Sequence, residues 1–231
     1  MEKDYMHKIY PKQFERNEFW AQIKRTVNGV PVSEEDIDTI IAQISSQLDL
    51  QRSDHLLDLG CANAALASRL FDSISAYTGV DFSEYLIDIA NEYFRPNESI
   101  RYIESDIQTY ILGEQRPEIY SKALCYGTMA YLPKDDLIDV VRLLKERFEN
   151  VERIFFGNIP DKAKAKDFFS KRNVYDYSLD DAQSPIGVWW YAKEISSLVE
   201  DVGYTAIISH MPESFYGSSY RFDLTLVNKA Y

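Results

Sequence analysis

The sequence predicts an α/β fold, a doubly wound and mostly parallel seven-stranded sheet, and three observations carry that prediction. First, the apolar run His55–Leu59 stops at Gly60, small residues follow, and a helical pattern begins at Leu66, Ala67 and Leu70. A strand, a tight turn and a helix N-terminus in that order form the opening unit of such a domain. Second, Tyr77–Val80 and Ile100–Ser105 are short strands that each lead into an acid, Asp81 and Asp106. Third, Tyr204–Ser209 and Tyr220–Val227 have no helix between them, so they pair antiparallel and give the sheet an antiparallel last strand.

The remaining elements follow in chain order. Phe14, Phe19, Trp20, Ile23 and Val27 recur at helical spacing until Asn28-Gly29 breaks the pattern. Ser33 reads as an N-cap ahead of Glu34, Glu35 and Asp36, and Ile37, Ile40, Ile41, Ile44 and Leu48 share one helical face. Residues 1–50 are therefore an N-terminal helical extension, and residues 1–231 are expected to form a single domain. Ser83 caps a second helix that ends by Arg95-Pro96-Asn97. Lys122–Tyr126 is the fourth strand, Lys134–Phe148 a helix and Arg153–Asn158 the fifth strand. After strand 5 comes an insertion, Lys162–Tyr191, with Lys162, Lys164, Lys166, Lys171 and Arg172, then Pro185, then Trp189-Trp190-Tyr191. It stands equally as a lid over an acceptor and as a solvated basic helix with a structural aromatic cluster.

Composition narrows the class. A chain of 231 residues buries one substantial core, and 45% apolar with 27% charged residues is ordinary for a soluble protein. A formal net charge of −12 argues against a nucleic-acid backbone as the docking surface. Two cysteines, Cys61 and Cys125, are expected as small buried thiols in a reducing compartment. No leader pattern opens the chain and no apolar run approaches membrane-spanning length, so a cytoplasmic location without a membrane partner is expected.

Asp58 discriminates between ligands. A carboxylate two residues before the turn repels a pyrophosphate, which speaks against NAD, and suits a ligand with an ammonium group and a sulfonium. Leu57-Asp58-Leu59-Gly60-Cys61-Ala62-Asn63-Ala64 resembles motif I of the class I S-adenosylmethionine-dependent methyltransferases, whose usual form has glycine where Gly60, Ala62 and Ala64 stand. Two of those three are alanine here. The resemblance extends from residue 55 to residue 160 and implies a Rossmann-like methyltransferase sheet, with S-adenosylmethionine as cofactor and S-adenosylhomocysteine as product. It implies cofactor contacts from Asp58, Gly60, Cys61, Ala62 and Asn63. Asp81, followed by Phe82, would meet the ribose hydroxyls and Asp106 the adenine amine, with Ile107 covering the ring and Cys125 and Tyr126 at the fourth strand. Asp81 is expected to add little to fold stability. In such enzymes an N-terminal segment often closes over the cofactor; Trp20, Lys24 and Arg25 would then face the site, although packing and solvation are the favoured reading.

Ligands of a doubly wound sheet bind beyond the carboxyl ends of its parallel strands, which brings Asn158, Asp161, His210, Tyr220 and Arg221 to the same rim. Cys125-Tyr126-Gly127-Thr128 lacks the Asn/Asp-Pro-Pro motif of enzymes that methylate base amines, and a cysteine does not serve a hard cation, so no metal is expected. An alcohol acceptor needs a base, for which His210 ranks first, then Asp161 and Tyr220. Gly157–Asp161 with Tyr220–Asp223 loosely resembles methyltransferases of bacterial surface-polysaccharide or secondary-metabolite pathways. The expected activity is methyl transfer to a small-molecule acceptor, preferably a hydroxyl of a sugar or nucleotide-linked sugar. The alternatives are an RNA or protein methyltransferase and a catalytically inactive cofactor-binding protein. The acceptor, the methylated atom and the oligomeric state stay open at this point.

Overall fold

The computed structural model describes residues 5–27 and 29–228. The chain opens with α1 (Tyr5–Lys8), a 3-10 turn (Tyr10–Gln13), α2 (Phe19–Gln22), a short hairpin of β1 (Thr26–Val27) and β2 (Val30–Pro31), and α3 (Glu34–Leu48). The helical spacing from Phe14 to Val27 thus yields one turn of helix, and Asn28 lies outside the described residues. Three local facts explain the shortfall. Phe14 is extended and Lys24 takes a left-handed φ of 53°, while the buried Gln22 side chain donates to the Glu15 and Arg16 carbonyls at 2.8 and 3.2 Å. A side chain satisfies carbonyls that a helix ladder would otherwise use. In α3 the reading and the structure agree: Ser33 Oγ accepts from the Asp36 amide, and Ile37, Ile40, Ile44 and Leu48 are buried.

The main sheet contains β3 (His55–Leu59), β4 (Ala76–Asp81), β5 (Ile100–Glu104), β6 (Lys122–Tyr126), β7 (Arg153–Pro160), β8 (Tyr204–Ser209) and β9 (Arg221–Asn228). Their spatial order is β5-β4-β3-β6-β7-β9-β8, with β3 to β7 mutually parallel and β9 antiparallel to both neighbours. The order reverses between β3 and β6, so the ligand crevice of this topology opens there.

Alternation along the strands sorts the core into two layers. Leu56, Tyr77, Leu124 and Phe155 face α3, the 3-10 helix Ala67–Ser73 and α4 (Glu84–Tyr93). Leu57, Val80, Ala123, Cys125, Ile154 and Phe156 face the other way, toward α5 (Ile107–Gly113), α6 (Lys134–Arg147) and α8 (Ala192–Asp201). Burying both faces requires near-continuous apolar strands, which is what β3, β6 and β7 supply. Gly157 is needed for close approach, since a Cβ there would lie 2.2 Å from the Tyr126 ring. A register shift follows it, and Asn158 takes a φ of 67°. Among the described residues no helix is long and apolar enough to cross a membrane.

Within residues 162–191 the structure forms a 3-10 turn (Lys162–Lys164) and α7 (Ala165–Ser170). Trp189 and Trp190 are fully buried, and Trp190 bridges to Asp161 beside the end of β7. Phe168, Trp189 and Tyr220 pack ring to ring, so the structural aromatic cluster is present. The same insertion sends Ala182, Gln183, Pro185 and Ile186 to the crevice.

Candidate active site

A cavity of about 740 Å³ lies at the carboxyl ends of β3, β4 and β6, beneath the N-terminal segment. Its floor is the loop after β3. Gly60 takes a φ of 84°, and a Cβ there would sit 2.3 Å from Thr128 Oγ1, whose hydroxyl donates to the Gly60 carbonyl at 3.2 Å. The glycine therefore makes room for Thr128 as well as for the turn. Ala62 and Ala64 follow in left-handed conformations, φ 50° and 60°. These are the positions where the family's usual glycines would be free of strain. Asn63 holds the loop: its Oδ1 accepts from the Ala65 amide, and its Nδ2 donates to the Phe19 carbonyl and to Gln22 Oε1. No α-helix starts at Leu66, contrary to the sequence pattern. The Ala67–Ser73 segment is 3-10, so the turn leads into no α-helix N-terminus.

Three carboxylates mark the strand ends. Asp58 is 4% exposed, and its Oδ2 accepts from the Tyr77 hydroxyl at 2.7 Å. Burial pushes its pKa up to about 7, against the Tyr77 hydrogen bond and with help from Asp81. Asp81 accepts from the Ser83 amide at 2.9 Å and from the Ala62 amide at 3.0 Å, and burial raises it to about 6 in spite of those donors. Ser83, expected to cap α4 through its side chain, instead gives Asp81 its backbone N–H. Asp106 is exposed and caps α5 by accepting from the Thr109 amide at 2.8 Å; burial raises its pKa, but these hydrogen bonds outweigh burial and leave it lowered.

The opposite wall is aromatic and basic. Tyr126 points into the cavity from β6, and the Arg25 guanidinium lies 4.9 Å over its ring. Tyr216, Tyr220, Arg221 and Asn158 arrive from the ends of β7 and β9. Tyr131 closes one side, its hydroxyl donating to the Pro185 carbonyl at 3.1 Å. His7 packs edge-on against Tyr131 and Phe82, with ring centroids 4.5 and 5.9 Å away.

Of the residues expected at the site, Asp58, Gly60, Cys61, Ala62, Asp81, Phe82, Asp106, Ile107, Tyr126 and Tyr220 line this one cavity. Asn63 is fully buried behind the loop and does not itself line the cavity. Cys125 is also displaced, because alternation along β6 turns it into the opposite core layer, where burial raises its thiol. Asp161 spends its side chain on the Ala163 amide, and His210 is exposed beyond β8; neither lines the cavity. Lys24 and Arg25 reach the cavity while Trp20 packs into the core layer beneath α3, so the packing reading holds for Trp20 alone. His7 and Tyr216 were missed by sequence reasoning. His7 lies far from any strand of the main sheet in the chain and Tyr216 lies within the β8–β9 connection, and only folding brings them to the rim.

Residues 56–148 match the family model described as a methyltransferase domain. The chain is 29% identical over 126 residues to the ubiquinone biosynthesis O-methyltransferase of Coxiella burnetii, and the match covers 53% of this chain and 50% of that enzyme. It thus spans about half the length of the curated relatives it matches. The solved magnesium protoporphyrin IX methyltransferase from Synechocystis PCC 6803, with S-adenosylhomocysteine bound, superposes with a TM-score of 0.67 at 16% identity, covering 98% of this chain and 97% of that one. Burkholderia thailandensis 1,6-didemethyltoxoflavin-N1-methyltransferase gives 0.59 at 12% identity, covering 86% and 80%. At such identities the likeness to solved structures is one of fold. The domain match, the sheet order and the acid-tipped strands agree, and residues 56–148 are similar to the methyltransferase domain of class I S-adenosylmethionine-dependent enzymes.

Proposed function

We propose that this chain transfers a methyl group from S-adenosylmethionine to a small-molecule acceptor, for which a hydroxyl of a sugar or nucleotide-linked sugar is the preferred class. The supporting observation is a single cavity that joins the acid-lined strand ends to the basic, aromatic lobe under the N-terminal segment. Its volume falls in the range of small-ligand sites, ~300–1,000 Å³. In this reading residues 1–50 are the cap and residues 162–191 the lid of one domain.

The residues present fit the cofactor. Asp58 offers a carboxylate oxygen beside the one taken by Tyr77, matched to an ammonium group. Asp81 suits the ribose hydroxyls, Asp106 the adenine amine, and Phe82 and Ile107 the faces of a ring. Gly60, Cys61 and Ala62 supply a tightly turned backbone. Bound there, the cofactor supplies an electrophilic methyl group and its own leaving group. The chain's residues then align the acceptor and keep the lobe dry. A neutral alcohol must also lose a proton, and His7 and Tyr220 are the lining groups whose chemistry suits that step. The reading uses no metal ion, and among the described residues no three His, Cys, Asp or Glu side chains gather to hold one.

Two measurements test it. Calorimetric titration should show S-adenosylhomocysteine binding and none with NAD; the reverse would remove the cofactor assignment. With a methyl-labelled donor and fractionated cell extract, label should enter small molecules. Label confined to RNA or protein would overturn the acceptor class.

A further inference from the structure

Among the described residues Arg25 has no counterion. It is 8% exposed, and among the described residues its Nε has no hydrogen-bond partner and its one side-chain hydrogen bond is a 3.5 Å approach of Nη1 to the Tyr216 hydroxyl. Among the described residues it makes no ion pair, although the chain carries 37 acids against 25 lysines and arginines. Guanidinium groups stay charged at every physiological pH, and arginine is almost never buried unless paired. Beneath it, the Tyr126 hydroxyl is buried and unpartnered too. A buried cation and a buried donor left unused in a ligand cavity carry a desolvation cost that a bound group recovers.

A second guanidinium faces the same lobe. Arg221 lines the cavity, lies against the Tyr220 ring at 4.8 Å and donates from Nη1 to the Asn158 carbonyl at 2.6 Å. That bond orients it and leaves its positive charge uncompensated by any ion pair among the described residues. Burial raises the phenol of Tyr131, and Arg221 and Arg25 both act to lower it, so the two charges flank one space. The cavity is therefore polarised, with Asp58, Asp81 and Asp106 at one end and Arg25 and Arg221 at the other.

We propose that the acceptor carries an oxyanion, a carboxylate or a phosphate, and that Arg25 and Arg221 grip it while the Tyr126 and Tyr216 hydroxyls donate to it. The proposal rests on the methyl-transfer reading for its account of what is bound, and it specifies the acceptor's charge. Planar guanidinium forks match either oxyanion, and carboxylate and phosphate differ in how many oxygens they present.

The test uses three probes with one ring and different charge: phenyl phosphate, benzoate and neutral benzyl alcohol. Each is titrated calorimetrically into the full chain, with and without saturating S-adenosylhomocysteine, in a buffer free of phosphate. An anion should bind at least tenfold more tightly than benzyl alcohol. Phenyl phosphate ahead of benzoate assigns a phosphate-bearing acceptor, and the reverse order a carboxylate. Arg25→Gln and Arg221→Gln should each erase most of the preference, while Arg25→Lys should restore part of it. Arg221 is half-buried, so its variant keeps the test open if Arg25→Gln does not fold. Equal binding of the three probes, or a preference that survives both substitutions, overturns the proposal. If S-adenosylhomocysteine fails to bind while the anion preference stands, the methyl-transfer reading falls and the oxyanion site remains.

Discussion

Ala62 holds a φ of 50° while its amide donates to Asp81, so one residue carries both backbone strain and a contact in the cavity wall. A left-handed conformation costs a non-glycine residue roughly 1–2 kcal/mol, and glycine gives back about 0.5–1 kcal/mol through its larger unfolded entropy. Ala62→Gly should therefore stabilise the protein by about 0.5–1 kcal/mol, read as a higher urea midpoint at unchanged slope. Ala64 is a poorer choice because its methyl is buried and its loss would leave a small void. Asp81 requires a correction at this scale. It was expected to matter for the cofactor and little for the fold, yet it is buried and accepts from the amides of Ala62 and Ser83. Stranding those donors costs on the order of 1–3 kcal/mol, so Asp81→Ala should lower thermal stability as well as weaken S-adenosylhomocysteine by at least about tenfold. Unchanged affinity in a folded variant would reduce Asp81 to a brace for the loop.

The N-terminal segment owes its position to the polar clasp between Gln22 and Asn63. Gln22 is buried, accepts from Asn63 Nδ2 at 2.9 Å and donates to the Glu15 carbonyl at 2.8 Å. The ion pair between Arg16 and Glu92 adds a second tie to α4, but both side chains are exposed, and water and salt screen such a pair so that it contributes little. The clasp is thus the stronger link between the N-terminal segment and the loop after β3. Gln22→Leu keeps the volume and leaves the Asn63 amide and two carbonyls short of partners. It should cost about 1–3 kcal/mol and speed proteolysis of the first 30 residues in limited digestion. Cofactor affinity should fall several-fold, because residues 22–26 form part of the cavity wall. Digestion at the wild-type rate would show that apolar packing alone holds the cap.

Across the whole molecule, the buried carboxylates of Asp58 and Asp81 couple stability and ligand affinity to pH with opposite signs. Asp58 and Asp81 are raised by burial from 3.8 to about 7 and about 6. The folded, ligand-free protein therefore prefers their protonated forms. Their contribution to stability is full below about pH 4 and is lost as pH rises through 6 and 7. An ammonium-bearing cofactor needs the ionised forms, so its affinity should rise over the same interval. Thermal melts of the ligand-free protein and titrations with S-adenosylhomocysteine, each from pH 5.5 to 8, should move in opposite directions. Asp58→Asn should flatten both trends. Parallel trends would mean that neither acid changes its charge in this range.

What the sequence determined by itself was the order of strands and turns and the three acids at their ends. Those features are local: near-continuous apolar runs, a glycine where the chain turns, an acid beyond each run. The same locality explains the errors. Periodicity from Phe14 to Val27 reads as helix until the Gln22 side chain takes the carbonyls, a contact visible only once Asn63 packs against it. Cys125 and Tyr126 are adjacent in the chain, and the pleat sends one to the core and the other to the cavity. Tertiary structure alone decided that His7 rather than His210 lines the site, and that Arg25 meets Tyr126 and Tyr216 from about 100 and 190 positions away. Partners that far apart leave no periodic trace, because their meeting is set by the packing of whole layers.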